Sequence, residues 1–299
     1  MKAAASSPKP RRPAKPAATA PVRPPGPVTI THPSLPGPIV IPAEDGRYRH
    51  DELTTLYWTY HPRFHFLKMA PRGARLFDIG AGWGRLSFWR AWLPPLRPDL
   101  EMHGCDQHPA KFADQYASFH VMDIDGARLP YPSGHFGAAL SSHVIEHLQH
   151  LKKFAAEIHR VLAPGAMVYV ETPTEESVDF PDRHFFRQQG CPTTTINFGD
   201  DRTHRQVVGR QALRELFTGA GFDVEEAGTI RMPFLEDALL AKAAAEGDQE
   251  LGSYGLWSRL GFAHYGIFRK PERKPRTNAK ASEGEPANHA KGRSTPSEA

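Results

Sequence analysis

Residues 74–87 read Ala-Arg-Leu-Phe-Asp-Ile-Gly-Ala-Gly-Trp-Gly-Arg-Leu-Ser. Leu76, Phe77 and Ile79 predict a short buried strand. Gly80, Gly82 and Gly84 then recur at alternate positions, and Arg85 opens a predicted helix. Without Cβ atoms the backbone of such a turn approaches a ligand closely, and the following helix offers its N-terminal amides. A strand, a glycine turn and a helix in that order suit a nucleotide-like ligand. The pattern is D-x-G-x-G-x-G, with Asp78 on the strand, and not the G-x-G-x-x-G of dinucleotide sites.

The neighbouring segments narrow the reading. Glu101 to Cys105 forms a second predicted strand. Asp106 follows it, 22 residues after Gly84, near the spacing at which a carboxylate reaches ribose hydroxyls in such folds. A carboxylate accepts from both hydroxyls at once. Asp123-Ile124-Asp125 leads into Leu129-Pro-Tyr-Pro-Ser-Gly-His-Phe136, then Ser142-His143-Val-Ile-Glu146-His147-Leu148. Arg160-Val-Leu-Ala-Pro-Gly165 leads to Glu171-Thr-Pro173. Together, and in this order, these segments resemble class I S-adenosylmethionine (SAM) dependent methyltransferases of the type 11 or type 23 kind, closely over 74–173 and more loosely to about 270.

The resemblance implies SAM as cofactor and assigns roles. Gly80, Ala81, Gly82 and Gly84 would form the turn against the methionine and ribose. Asp78 would orient that loop or the amino group. Asp106 would take the ribose hydroxyls, with Gln107 beside the adenine. Asp123 or Asp125 would accept from the adenine amino group. Asp123 is favoured because it directly follows the strand, with Ile124 packing on the ring. Ser142 and His143 would lie near the sulfonium.

Catalytic candidates are His147, His204 and Glu146. Imidazole titrates near neutrality and suits a general base. His143-x-x-Glu146-His147 also matches an inverted zinc-peptidase motif, although it sits inside the methyltransferase block. It is similar too to the E-x-x-E-H of small-RNA 2′-O-methyltransferases and ubiquinone-pathway O-methyltransferases, which holds a divalent cation. Here His143 replaces a hard oxygen ligand, so no metal is assigned; His143, Glu146 and His147 are the candidate set. Asp200-Asp-Arg-Thr-His204-Arg205 resembles a "DDPTHxR" loop of bacterial methyltransferases, in which His204 would face the acceptor and Arg202 or Arg205 would bind an anionic group.

The 299 residues allow one large domain. Strand and helix patterns alternate: strands near 75–79, 101–105, 118–122, 136–142 and 166–171, with helices near 84–93, 109–117 and 149–162. Further elements are a helix from Arg210 to Ala220, a strand near 222–227, an Ala-rich helix near 236–246 and a last strand from Phe262 to Phe268. This alternation predicts an α/β fold with a parallel sheet covered on both faces. The family implies a Rossmann-like, mostly parallel seven-stranded sheet whose last strand is antiparallel. Residues 37–270 form the expected domain, with acceptor-side insertions at 174–205 and 231–260. An amphipathic helix over 50–68, broken at His61-Pro62, offers Tyr57, Trp58, Tyr60, His61 and His65 to an acceptor cavity.

Residues 1–36 hold ten of the 29 prolines and six Lys/Arg with no acid. They and 271–299 read as disordered tails. The overall charge of +4 lies in the ends, and residues 37–268 carry a net −6. That argues against a folded nucleic-acid surface. No apolar run is long enough to span a bilayer. Two cysteines, Cys105 and Cys191, make no disulfide framework, and a cytoplasmic setting is expected. The leading expectation is methyl transfer to an oxygen of a small molecule or glycan. The alternatives are a non-catalytic SAM-binding interaction module and an RNA methyltransferase that uses the basic tails. Oligomeric state is not legible.

Overall fold

The computed structural model describes residues 26–272. Nine strands and seven α-helices are present among them. The central sheet has seven strands. They are β3 (Arg75–Ile79), β4 (Glu101–Asp106), β5 (Ser118–Val121), β6 (Phe136–Ser142), β7 (Leu162–Pro173), β8 (Asp223–Thr229) and β9 (Ala263–Arg269). Their spatial order is β5-β4-β3-β6-β7-β9-β8. The pairings of β3, β4, β5, β6 and β7 are parallel; β9 runs antiparallel to both of its neighbours.

The order reverses between β3 and β6. From β3 the chain steps outward to β4 and β5, then returns to β6 on the other side. The carboxyl ends of β3 and β6 therefore diverge into a crevice, the place where open α/β sheets take their ligands. Alternation along β3 assigns the two faces. Leu76 packs in one apolar cluster with Tyr57, Tyr169 and Tyr254. Phe77 and Ile79 pack in the other with Phe154, Ile158 and Phe217. Asp78 shares its face with Leu76.

The Phe77 face is covered by α3 (Leu151–Val161) and α5 (Arg210–Gly219), whose buried residues recur at helical spacing. The Leu76 face is covered by α1 (His50–Tyr60) and α2 (Pro62–Met69), with α6 (Pro233–Glu246) and α7 (Gln249–Leu260) beyond. The break at His61 is as expected: Pro62 takes the first position of α2, and His61 Nδ1 accepts from the Arg63 amide. Tyr57 stacks on Tyr254 at 4.1 Å and 8°, which pins α7 to α1. A short helix, α4 (Arg183–Gln188), lies in the 174–205 segment.

Three expectations are corrected. Only short 3-10 pieces, Arg85–Arg90 and Ala113–Gln115, stand where helices near 84–93 and 109–117 were expected. In the first, the Lys68 ammonium gathers the carbonyls of Trp89, Trp92 and Leu93 and so ends the turn. The 1–36 tail is too long by several residues. β1 (Val28–Ile30) pairs antiparallel with β2 (Ile39–Ile41), and Ile30, Ile39 and Ile41 are buried. This hairpin is tied on by Lys242 of α6, 2.8 Å from Glu44. The remainder of both expected tails, 1–25 and 273–299, lies outside the described residues. No described helix is long and apolar enough to cross a membrane.

Candidate active site

Two cavities open along the crevice and share Gly80. One, of about 530 Å³, is lined by Gly80, Asp106, Gln107, Met122 to Asp125, His143, Val144, His147, Leu148, Arg202, Thr203 and Arg205. The other, of about 710 Å³, is lined by Asp78, Gly80, Ala81, Ser142 and Arg63, with Trp58, Trp83, Trp89, Trp92 and Tyr254 among its walls.

The turn after β3 is built from main-chain bonds. The amides of Gly80 and Ala81 both donate to the Cys105 carbonyl, at 2.9 and 3.0 Å. The Gly82 amide donates to Asp106 Oδ2 at 2.9 Å, and the His108 amide to Oδ1 at 2.9 Å. Asp106 is thereby fixed, with a second lone pair on each oxygen still free. Gly80 is irreplaceable here. Its φ is +69°, and a Cβ built on it would fall 2.3 Å from Val144 Cγ2. Gly82 and Gly84 line neither cavity. Gly84 instead gives room to Tyr116 and the Phe112 carbonyl.

Asp78 lies buried under the turn and accepts from the Tyr116 hydroxyl at 2.6 Å. Burial pushes its carboxyl up to about 6, against the pull of that hydrogen bond and of Arg63. Asp123 and Asp125 both line the first cavity but are used differently. Asp125 accepts from the amides of Gln149 and His150, at the head of α3. Asp123 accepts only from the Asp125 amide among the described hydrogen bonds.

The end of β6 carries a charged corner. His143 has a φ of +54°, a left-handed conformation that costs a non-glycine residue roughly 1 kcal/mol or more. Three contacts hold it there. Its amide donates to the Glu171 carbonyl at 2.9 Å, its Nδ1 meets Glu146 Oε1 at 3.2 Å, and its Nε2 lies 3.0 Å from Glu171 Oε1, poorly aligned for a hydrogen bond. Burial opposes a charge on this imidazole, but the two buried glutamates outweigh it and hold its pKa up to about 9. Glu146 is fully buried and also accepts from Thr172 Oγ1 at 3.0 Å. Glu171 accepts from the Tyr169 hydroxyl at 2.7 Å, and its carboxyl is held well below the usual range: burial opposes this, while Arg63, His61 and His143 prevail.

His147 and His204 are brought together from segments 57 positions apart, with ring centroids 4.8 Å apart. The loop that carries His204 is docked by the Arg205 and Gln206 amides, which donate to the Glu146 carbonyl. The hydrogen bonds fix both tautomers of the neutral rings. His204 Nδ1 lies 2.7 Å from the Phe198 carbonyl, which only accepts. The Thr203 hydroxyl donates to Asp201 at 2.6 Å, so His147 Nδ1, 3.0 Å away, donates to Thr203. Each neutral imidazole is left with a lone pair on Nε2. One ligand atom each from Glu146, His147 and His204 lies within 4.8 Å of the others. In the candidate metal set with His143, both ring nitrogens of that residue face glutamates.

Of the α1–α2 aromatics, Trp58 alone lines the second cavity. Tyr57 and His61 are buried, while Tyr60 and His65 line a separate groove. Sequence reasoning missed Arg63. Its Nη1 donates to Ser142 Oγ at 2.6 Å, and its guanidinium lies 4.8 Å from the Trp58 ring and 5.4 Å from Trp89. One signal was present: a cation in the first turn of a helix opposes the helix dipole, so its placement serves something else. Glu171 was missed as well, because nothing local marks its partners.

A family model described as a methyltransferase domain matches residues 50–227. Ajmaline N-methyltransferase of Rauvolfia serpentina is 37% identical over 131 residues, which is 38% of this chain and 44% of that protein. The mitochondrial ubiquinone biosynthesis O-methyltransferase of Mus musculus is 24% identical over 173 residues, 54% of this chain and 45% of that protein. The chain thus spans under half the length of these two relatives. A SAM-dependent methyltransferase from Archaeoglobus fulgidus superposes with a TM-score of 0.47 at 17% identity, covering 73% of this chain and 94% of that one. The family match extends over more than half of the chain and takes in the glycine turn, Asp106 and the β6 corner: this chain belongs to the class I SAM-dependent methyltransferase superfamily, with SAM as its cofactor.

Proposed function

We propose that this chain transfers the methyl group of SAM to an oxygen of a small molecule or glycan. One observation carries the reading: two cavities of different chemistry meet at Gly80. The first offers Asp106 for ribose hydroxyls, Gln107 and Ile124 for the flat base, and Asp123 for its amino group. Asp125 is already engaged at the head of α3, which favours Asp123 for the adenine. The second offers Asp78 for the ammonium of the methionine part and Arg63 for its carboxylate. When bound, SAM supplies an electrophilic methyl on a sulfonium, and the displacement needs an in-line acceptor more than a covalent catalyst.

The residues of this chain then have distinct tasks. His143 is a positioning residue whose charge is balanced by Glu146 and Glu171. Glu146, buried and hydrogen-bonded to His143 and Thr172, is read as a positioning residue and not as the base. The Nε2 lone pairs of His147 and His204 suit them to take the proton of an acceptor hydroxyl as its oxygen bonds the methyl. A second reading has Glu146, His147 and His204 holding a metal, which their closeness favours. Two imidazoles and one carboxylate suit zinc or another transition ion better than magnesium.

Calorimetric titration of SAM and S-adenosylhomocysteine tests the reading, with and without chelator. Micromolar binding of both, lost in Asp106→Ala, is the expected result. Unchanged affinity in that variant removes the ribose assignment. Absence of binding moves the chain to a scaffold role. Loss of turnover on chelation, reversed by added zinc, would favour the metal reading. Removing 1–25 and 273–299, which spares β1 and β9, addresses the RNA alternative, which requires salt-dependent RNA binding that collapses on truncation.

A further inference from the structure

Asp200-Asp201-Arg202-Thr203-His204-Arg205 carries two acids and two arginines, and the fold sorts them. Asp200 is buried and accepts from the amides of Arg183, Ile196 and Asn197. Asp201 is taken by the amide and hydroxyl of Thr203. Asp201 is thus spent inside the loop, and Asp200 on amides that precede it. Arg202 and Arg205 remain exposed on the wall of the first cavity, which His147 also lines. Neither guanidinium has an ion pair among the described residues. Arg49, Arg97, Arg160, Arg210, Arg259 and Arg269 each have a carboxylate partner.

The loop is also held in register. Asn197 Nδ2 donates to the Phe180 carbonyl at 2.6 Å, and the Arg205 amide to the Glu146 carbonyl at 2.9 Å. The two arginines therefore flank a fixed element that carries His204 against His147. Two guanidiniums without an ion pair among the described residues stand on this wall, in a cavity that Asp106, Asp123 and Asp125 also line. Each presents a planar fork that matches an oxyanion in two hydrogen bonds.

From this we infer that the acceptor is anionic: it carries a phosphate or carboxylate group, held by Arg202 and Arg205 so that a neighbouring hydroxyl reaches the His147–His204 pair. The inference deepens the methyltransferase reading and rests on it. It narrows the acceptor from any small hydroxyl compound to one with an oxyanion near the methylated atom.

The test uses the full chain saturated with S-adenosylhomocysteine. Phenyl phosphate, benzoate and phenol are titrated in turn by calorimetry, at low and at high salt. At least one anion is expected to bind about tenfold or more tighter than phenol, with the advantage shrinking as salt rises. The two anions separate a phosphate site from a carboxylate site. In R202M/R205M that preference is expected to vanish while S-adenosylhomocysteine affinity stays within about twofold, which shows the cofactor half intact. Equal binding of phenol and both anions overturns the inference. A preference that survives the double substitution does so too, as does the absence of any anion binding. If S-adenosylhomocysteine itself fails to bind, the methyltransferase reading fails first, and that outcome is distinct from the others.

Discussion

The glycine turn with Asp106 and the histidine–glutamate corner face each other across Gly80, and they are built on different principles. The turn is made by residues close in sequence, through main-chain bonds and left-handed glycines. The corner gathers His143, Glu146 and His147 after β6, Glu171 and Thr172 from β7, and His204 from a distant loop. A ligand cradle whose contacts are amides and one carboxylate tolerates little change and recurs as a short pattern. A corner of buried charges needs several strands in register before any of its groups makes sense. Its charges also balance: Glu146 and Glu171 stand against His143 and Arg63. Removing one member would leave another buried without its partner, at a cost of several kcal/mol (about 3–5 for a fully buried pair).

The sharpest break between the two regions is expected from the paired histidines. His147→Ala and His204→Ala are expected to lower turnover by roughly 10²–10⁴ while S-adenosylhomocysteine affinity stays near wild type. Single-turnover kinetics beside calorimetry would read both quantities. Full activity in both variants would remove the base assignment and leave the corner structural.

The converse variant is Gly80→Ala. The new Cβ meets Val144 in a backbone conformation that strains any side chain. A loss of cofactor affinity of about 100-fold is expected, together with a stability loss of about 1–3 kcal/mol. Thermal melts with and without S-adenosylhomocysteine would show it. An unchanged ligand-induced shift would mean that the turn does not touch the cofactor.

Stability against pH sharpens the comparison further. His143 is held up to about 9 in the fold and returns to an ordinary value near 6.5 on unfolding. Its raised pKa contributes stability that is fully present below about pH 6.5 and is lost as pH rises through 9. The contribution is on the order of 2 kcal/mol. Urea midpoints from pH 6 to 9.5 should fall for the wild type and flatten in His143→Gln. Asp78 works on the other side of Gly80. If its carboxylate meets the cofactor's ammonium, affinity should weaken as pH drops below about 6, where the carboxyl takes up a proton.

The smallest effect separates two neighbouring carboxylates. Asp123→Asn should weaken S-adenosylhomocysteine by about five- to tenfold with little change in stability. Asp125→Asn should do the reverse, costing about 1 kcal/mol through the amides at the head of α3 and leaving affinity nearly unchanged. If the two variants exchange behaviours, Asp125 is the adenine partner.

The strands, their parallel alternation and the place of the glycine turn were legible because each rests on periodicity or on residues a few positions apart. The sequence by itself determined that Asp78, Gly80 and Asp106 would gather at the carboxyl ends of β3 and β4, since strand length and a turn of fixed size leave no other place for them. It did not determine that two expected helices would shrink to short 3-10 pieces, because Lys68 and Gly84 act there through contacts distant in the chain. Nor did it mark Arg63, whose meaning depends on Ser142 and two tryptophans. Only the tertiary structure decided which of several histidines meet, which aspartates are spent on amides and which arginines are left unpaired. Those outcomes depend on hydrogen-bond geometry between segments dozens of residues apart, and local propensity carries no record of it.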